Sequence, residues 1–156
     1  MSATEKLREL GIVLPELQIP KAAFRPYVFD ENTLIVSGQL PLLDGSPVSV
    51  GAVPETVSVE QAKEAARRCA INILAWVKKA CGGDLDRVAR VNRIGGFVVT
   101  SPGYANAPEI INSASEIFTS VFGEDGQHAR IAIGVASLPL GVPVEVEATF
   151  TVHRLE

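Results

Sequence analysis

Two alternating stretches near the C-terminus restrict the fold more than any other part of the chain. They lie in HARIAIGVASLPLGVPVEVEATFTV, residues 128–152. In the first arm Ile131, Ile133 and Val135 alternate with Arg130, Ala132, Gly134 and Ala136. In the second, Val144, Val146, Ala148, Phe150 and Val152 alternate with Glu145, Glu147, Thr149 and Thr151. A period of two marks a strand with one buried face. With SLPLGVP between them, the arms read as a β-hairpin whose turn centres on Leu138 and Pro139. That register sets Ala132 opposite Glu145, with Arg130 opposite Glu147 and diagonal to Glu145, about 7–8 Å apart at the backbone and within reach of long side chains.

The rest of the chain has to pack on this hairpin. SVEQAKEAARRCAINILAWVKKACGG is the clearest helix. Ser58 and Gln61 make a capping-box pattern, and Gly82 or Gly83 ends it. Ala62, Ala66, Cys69, Ile73, Val77 and Ala80 fall on one face at spacings of three and four. A second helix is expected from about Pro108 to just before Gly123, with Ile111, Ala114, Phe118 and Val121 inward. RVNRIGGFVVT between them reads as a strand. Near the N-terminus, RPYVF and TLIVSGQL flank a polar DEN turn as another hairpin. Residues 3–10 suit a short helix ended by Gly11, and residues 41–56 read as loop with a short edge strand at Val48–Val53.

The predicted order is therefore β-β-α-β-α-β-β, an α+β mixed sheet with both helices on one face. The 156 residues read as one domain, with 1–21 as an N-terminal extension carrying a short helix. The other sheet face has no cover within the chain. Its expected residues are Arg130, Ala132, Gly134 and Ala136, with Ser37, Gln39 and Phe97 as candidates. Further copies of the protein are the simplest cover.

Composition narrows the partners. A formal net charge of −4 argues against nucleic-acid binding, which favours a basic face. No apolar run approaches the roughly 18 residues of a membrane span, and MSATEKLRELGI has no apolar signal core. Cys69 and Cys81, twelve positions apart on one predicted helix, stand roughly 18 Å apart, too far to bridge. Reduced core thiols in a cytoplasmic protein are the expectation. Trp76 reads as core or helix edge, Gly95-Gly96 as a close backbone approach or bulge, and His128 and His153 as surface residues at strand ends.

Small residues beside Arg130 leave a hollow next to a guanidinium and a carboxylate. Arginine can grip a ligand carboxylate through two parallel hydrogen bonds, and a nearby glutamate can take a proton from water. The alternative is a cross-strand salt bridge from Arg130 to Glu147 that only braces the hairpin. Spacing alone leaves both open.

Four segments in order resemble one family. Arg130, followed by SLP with Pro139 and then VEVEA, is similar to the C-terminal signature of the YjgF/RidA family, the enamine/imine deaminases also labelled endoribonuclease L-PSP. PYV with Tyr27, VSGQ at 36–39 and Asn112 in NSASEIF agree with it. The resemblance covers most of the chain from about residue 22. Within the family the chain looks most like the longer YjgF/chorismate-mutase-like subgroup. The resemblance to the family implies a chorismate-mutase-like fold, a homotrimer with clefts between subunits and no metal or organic cofactor. It also implies hydrolysis of 2-imino acids to 2-oxo acids and ammonia. Carried over, Arg130 binds the substrate carboxylate and Glu145 activates the water. Tyr27 closes the cleft, while Gly38 and Asn112 line it with Phe97 and Ala132. Ala132 stands where many members carry cysteine, which reshapes the pocket. The competing readings are a non-catalytic binder of small carboxylate metabolites, chorismate-mutase-type chemistry using Arg130 and Arg93, and an endoribonuclease.

Overall fold

In the computed structural model, which describes residues 1–153, side-chain caps set where the helices start. Ser2 accepts from the Glu5 amide while its own amide donates to the Glu5 carboxylate, opening α1 (Ala3–Glu9). The Ala3 amide donates to Asp86 at 2.8 Å, and Ala3 and Leu7 are buried. The N-terminal segment is thus tied to the core. The same reciprocal cap, Ser58 with Gln61, opens α2 (Val59–Ala80). Pro108 sits in the first turn of α3 (Ala107–Phe122), where its missing N–H costs nothing.

The strands are β1 (Tyr27–Asp30), β2 (Thr33–Gln39), β5 (Val88–Val99), β6 (Ala129–Val135) and β7 (Val144–Val152). A separate two-stranded ribbon, β3 (Leu42–Leu43) with β4 (Ser46–Pro47), occupies the predicted loop. Asp44 and Gly45 join it, both at positive φ, which is the backbone an Asp-Gly hairpin turn needs. The edge strand expected at Val48–Val53 is not formed; Val53 makes only an isolated bridge to Thr100.

The five-stranded sheet runs β1-β2-β7-β5-β6, and only β5 and β6 are parallel. This overturns the C-terminal hairpin. β5 lies between the two arms, because α3 is the crossover that leads from β5 to a parallel neighbour. The link after β6 instead crosses the end of β5, where the Val99 amide donates to the Pro143 carbonyl.

The inserted strand also shifts register. Ala132 aligns with Gly96 and through it with Val146, while Arg130 aligns with Ile94 and Ala148. A one-residue change of register exchanges the faces of a strand. Arg130, Ala132 and Gly134 therefore share the face on which the helices pack. The open face carries Ile131, Ile133, Phe97, Glu145 and Glu147 instead, continued by Ile35 and Val28. Val28, Ile35, Ile131 and Ile133 are each 41–44% exposed, too apolar a row for a solvated sheet. The expectation of an uncovered face holds, but with the other residues of β6 on it.

Between helices and sheet lies the core. Ala62, Ala66, Cys69, Ile73 and Val77 of α2, and Ile111, Ala114, Phe118 and Val121 of α3, are all buried there. Both cysteines are buried and free. Gly96 lets α3 approach: a Cβ on it would meet the Ile111 side chain at 2.6 Å. Among the described residues no helix is long and apolar enough to cross a membrane.

Candidate functional site

Arg130 is exposed on the edge strand β6, and it makes no ion pair with Glu147. Arg93 does so at 3.3 Å, as a diagonal neighbour across the β5–β7 ladder, where Glu147 aligns with Gly95 and Arg93 with Thr149. Arg130 reaches over α3 instead. Its Nη1 donates to Asn112 Oδ1 at 2.8 Å and to Ser115 Oγ at 3.2 Å, and its Nη2 donates to the Pro108 carbonyl at 3.4 Å. A guanidinium has five N–H groups. These bonds engage both on Nη1 and one on Nη2. Nε–H and the second Nη2–H remain, on the adjacent atoms that form a two-pronged edge. Among the described residues no carboxylate pairs with Arg130. The alternative of a bracing salt bridge to Glu147 is thereby removed.

Two residues in this cluster were missed by sequence reasoning. Ser115 lies one turn beyond Asn112 on α3, so both face β6. His128, expected as a surface residue, is half-buried in a T-shaped contact with the Phe118 ring. Its Nε2 is 2.9 Å from Ser115 Oγ and its Nδ1 is 2.7 Å from the Gly126 carbonyl. A carbonyl only accepts, so Nδ1 carries the hydrogen and Nε2 accepts from Ser115. Burial holds the imidazole pKa below its ordinary value, and the nearby Arg130 charge acts the same way, while the bond to Gly126 opposes them. The i, i+3 spacing of Asn112 and Ser115 was the available signal for this cluster.

Glu145 belongs elsewhere. It opens β7 on the uncovered face, aligned with Phe97 and through it with Ile133. Gly38 lies at the bulge of β2, where a Cβ would come within 2.8 Å of Glu145 Oε2. Only glycine lets that carboxylate sit so close to the strand. Burial raises the Glu145 pKa, and repulsion from Glu147 adds to it. Gly38 also lines a groove of about 740 Å³ with Phe24, Leu40, Arg68, Asn72 and Trp76. Trp76 Nε1 donates to Gln39 at 3.0 Å in its wall, so Gln39 faces α2 rather than the open sheet.

Tyr27 points toward α2, its ring 6.2 Å from that of Trp76 and 6.4 Å from that of Phe29. It lines a second groove of about 310 Å³ with Phe24 and Pro26. One copy of the chain therefore divides the seven predicted residues into groups. Arg130, Asn112 and Ala132 sit at the β6–α3 edge. Glu145, Gly38 and Phe97 sit at or near the open face, with Tyr27 beyond them on β1. Arg130 and Glu145 lie on opposite faces of the sheet and do not form one site within a single chain. Among the described residues no cluster of metal-ligating side chains forms.

Comparisons with known proteins bear on this arrangement. Residues 4–147 match the family model described as "YjgF/chorismate mutase-like, putative endoribonuclease". Protein TCP17 of Trypanosoma cruzi is 42% identical over 143 residues, covering 91% of this chain and 89% of TCP17. The crystal structure of Atu1372 from Agrobacterium tumefaciens, a protein of unknown function, is 40% identical with a TM-score of 0.88, covering 97% of this chain and 92% of that one. A Shewanella oneidensis protein described as "a putative endoribonuclease" is 26% identical with a TM-score of 0.92 and covers 97% and 100% of the two chains.

Proposed function

Since the chain belongs to the YjgF/chorismate mutase-like family, we propose that it hydrolyses 2-imino acids to 2-oxo acids and ammonia in clefts between three copies of itself. The observation that carries this reading is the state of Arg130. Three hydrogen bonds hold one side of its guanidinium, and the two-pronged edge is left without an acidic partner. A carboxylate fits such an edge through two charge-assisted hydrogen bonds.

The chemistry needs a water positioned at the imine carbon. Glu145 supplies the base, and its raised pKa makes it a stronger proton acceptor than an ordinary carboxylate. As the water oxygen bonds to C2, the proton passes to Glu145 and the imine nitrogen takes up the electron pair. Glu145 returns that proton to the nitrogen, giving a carbinolamine. It then takes the hydroxyl proton and passes it to the same nitrogen, so that ammonia leaves as the carbonyl forms. Imine and water become 2-oxo acid and ammonia, with the carboxylate regenerated. Because Arg130 and Glu145 are separated in one chain, they meet only across an interface between copies. The apolar open face beside Glu145 supports such an interface. In this reading Asn112 and the Gly38 backbone line the cleft with Phe97 and Ala132, and Tyr27 of an adjoining copy closes it.

A non-catalytic binder of a small carboxylate would use the same Arg130 edge without the water chemistry. The perturbed Glu145 favours the enzyme. An RNA substrate is a poor match for a chain of net charge −4. The test is hydrolysis of 2-imino acids generated in the assay by an amino-acid oxidase, with side chains from small to bulky. Acceleration above the spontaneous rate is expected. Binding of pyruvate with no acceleration of any imine would replace the enzyme with the binder.

A further inference from the structure

The reading of Arg130 as a carboxylate clamp leaves Ser115 and His128 without a role, yet they complete a directed chain of hydrogen bonds. Arg130 Nη1 donates to Ser115 Oγ at 3.2 Å, Ser115 Oγ donates to His128 Nε2 at 2.9 Å, and His128 Nδ1 donates to the Gly126 carbonyl at 2.7 Å. Every donor finds an acceptor in one sense only, because the terminal carbonyl cannot donate.

We infer that His128, acting through Ser115, is a positioning residue for Arg130. A serine hydroxyl can rotate to donate in several directions. With Nε2 accepting its hydrogen, the Ser115 lone pairs are turned toward the guanidinium. Asn112 holds the same nitrogen from one helical turn earlier, at 2.8 Å. Two acceptors on Nη1 fix the plane of the guanidinium as well as its place, and the plane decides whether the Nε edge meets a carboxylate with both prongs. Arginine on an exposed edge strand otherwise keeps much of its rotamer freedom, which a ligand would have to remove on binding. The imidazole is itself held, by the Phe118 ring at 6.0 Å between centroids and by Gly126. His128 thus passes the rigidity of the core to a side chain at the surface.

This inference rests on the clamp reading, and one set of measurements separates the two. Pyruvate is titrated by NMR against wild type, Ser115→Ala, Ser115→Thr, His128→Leu, the Ser115→Ala/His128→Leu pair and Arg130→Lys. The order of the Arg130 Nε–H vector is measured in each arginine-bearing protein. We expect Ser115→Ala and His128→Leu each to weaken pyruvate binding about 3- to 10-fold and to lower the Nε–H order. The pair should be no weaker than the worse single variant, since both cut one chain. Ser115→Thr, which keeps the hydroxyl, should stay within about twofold of wild type. Arg130→Lys that loses affinity while Ser115→Ala and His128→Leu keep both affinity and Nε–H order would overturn the positioning role alone. Arg130→Lys with wild-type affinity would overturn the clamp itself.

Discussion

Replacing Arg130 with lysine keeps the charge and removes the geometry, and the structure sets the size of the effect. Lysine offers donors from one nitrogen on a flexible stem, so a carboxylate that had two parallel bonds from Nε and Nη2 keeps one. A hydrogen bond to a charged group contributes about 1.5–3 kcal/mol. The loss corresponds to about 10- to 150-fold in kcat/KM. The fold should be little affected. Arg130 is exposed on an edge strand, and its partners Asn112 and Ser115 can turn to water. Changes at such surface sites stay within about 0.5 kcal/mol, or about 1–2 °C in Tm for a chain of this size. The assay couples an amino-acid oxidase to capture of surviving imine by semicarbazide, beside matched thermal melts. A variant with wild-type turnover would refute the assignment of Arg130 as the carboxylate grip. A variant several degrees less stable, with turnover falling only in step with the folded fraction, would make Arg130 a structural residue.

Three further outcomes follow from named contacts. Glu145→Gln should lower kcat about 10²-fold or more while pyruvate affinity changes less than about tenfold. The folded pKa of Glu145 is raised, so its contribution to stability is full below the unfolded pKa near 4.3 and is lost as pH rises through the folded value. The glutamine variant should therefore melt higher than wild type at pH 7 and show no such gain near pH 4; a lower melt at pH 7 would contradict this sign. Gly96→Ala places a methyl 2.6 Å from the buried Ile111 and should cost about 1–3 kcal/mol, with partial recovery in a Gly96→Ala/Ile111→Ala double variant by denaturant melts. Light scattering in dilute buffer should give about three times the 16.6 kDa chain mass, and a stable, fully active monomer would remove the interface on which the site depends.

What was legible in the sequence is whatever depends on neighbours along the chain. Ser58 with Gln61, Pro108, and the three- and four-residue spacing of Ala62, Cys69, Ile73 and Val77 act within one or two turns, and both helices formed as these signals indicated. The alternation at 129–135 and 144–152 likewise identified two strands with the correct residues grouped on each face of each strand. The Asp44-Gly45 turn is equally local, but it lies inside a Pro- and Gly-rich segment whose composition reads as loop. Which strand stands beside which depends on the whole path of the chain, and there the local pattern pointed the wrong way. SLPLGVP carries the residues of a turn, yet the crossover through α3 puts β5 between the arms. That one insertion moved Arg130 and Ala132 to the helix-covered side and gave Glu147 to Arg93. It also brought Arg130 to Asn112, Ser115 and, through Ser115, to His128, from 13 to 18 positions apart in sequence. Period-two alternation separates the faces of a strand but carries no mark of which face meets the core, because only the neighbouring strand's register decides that.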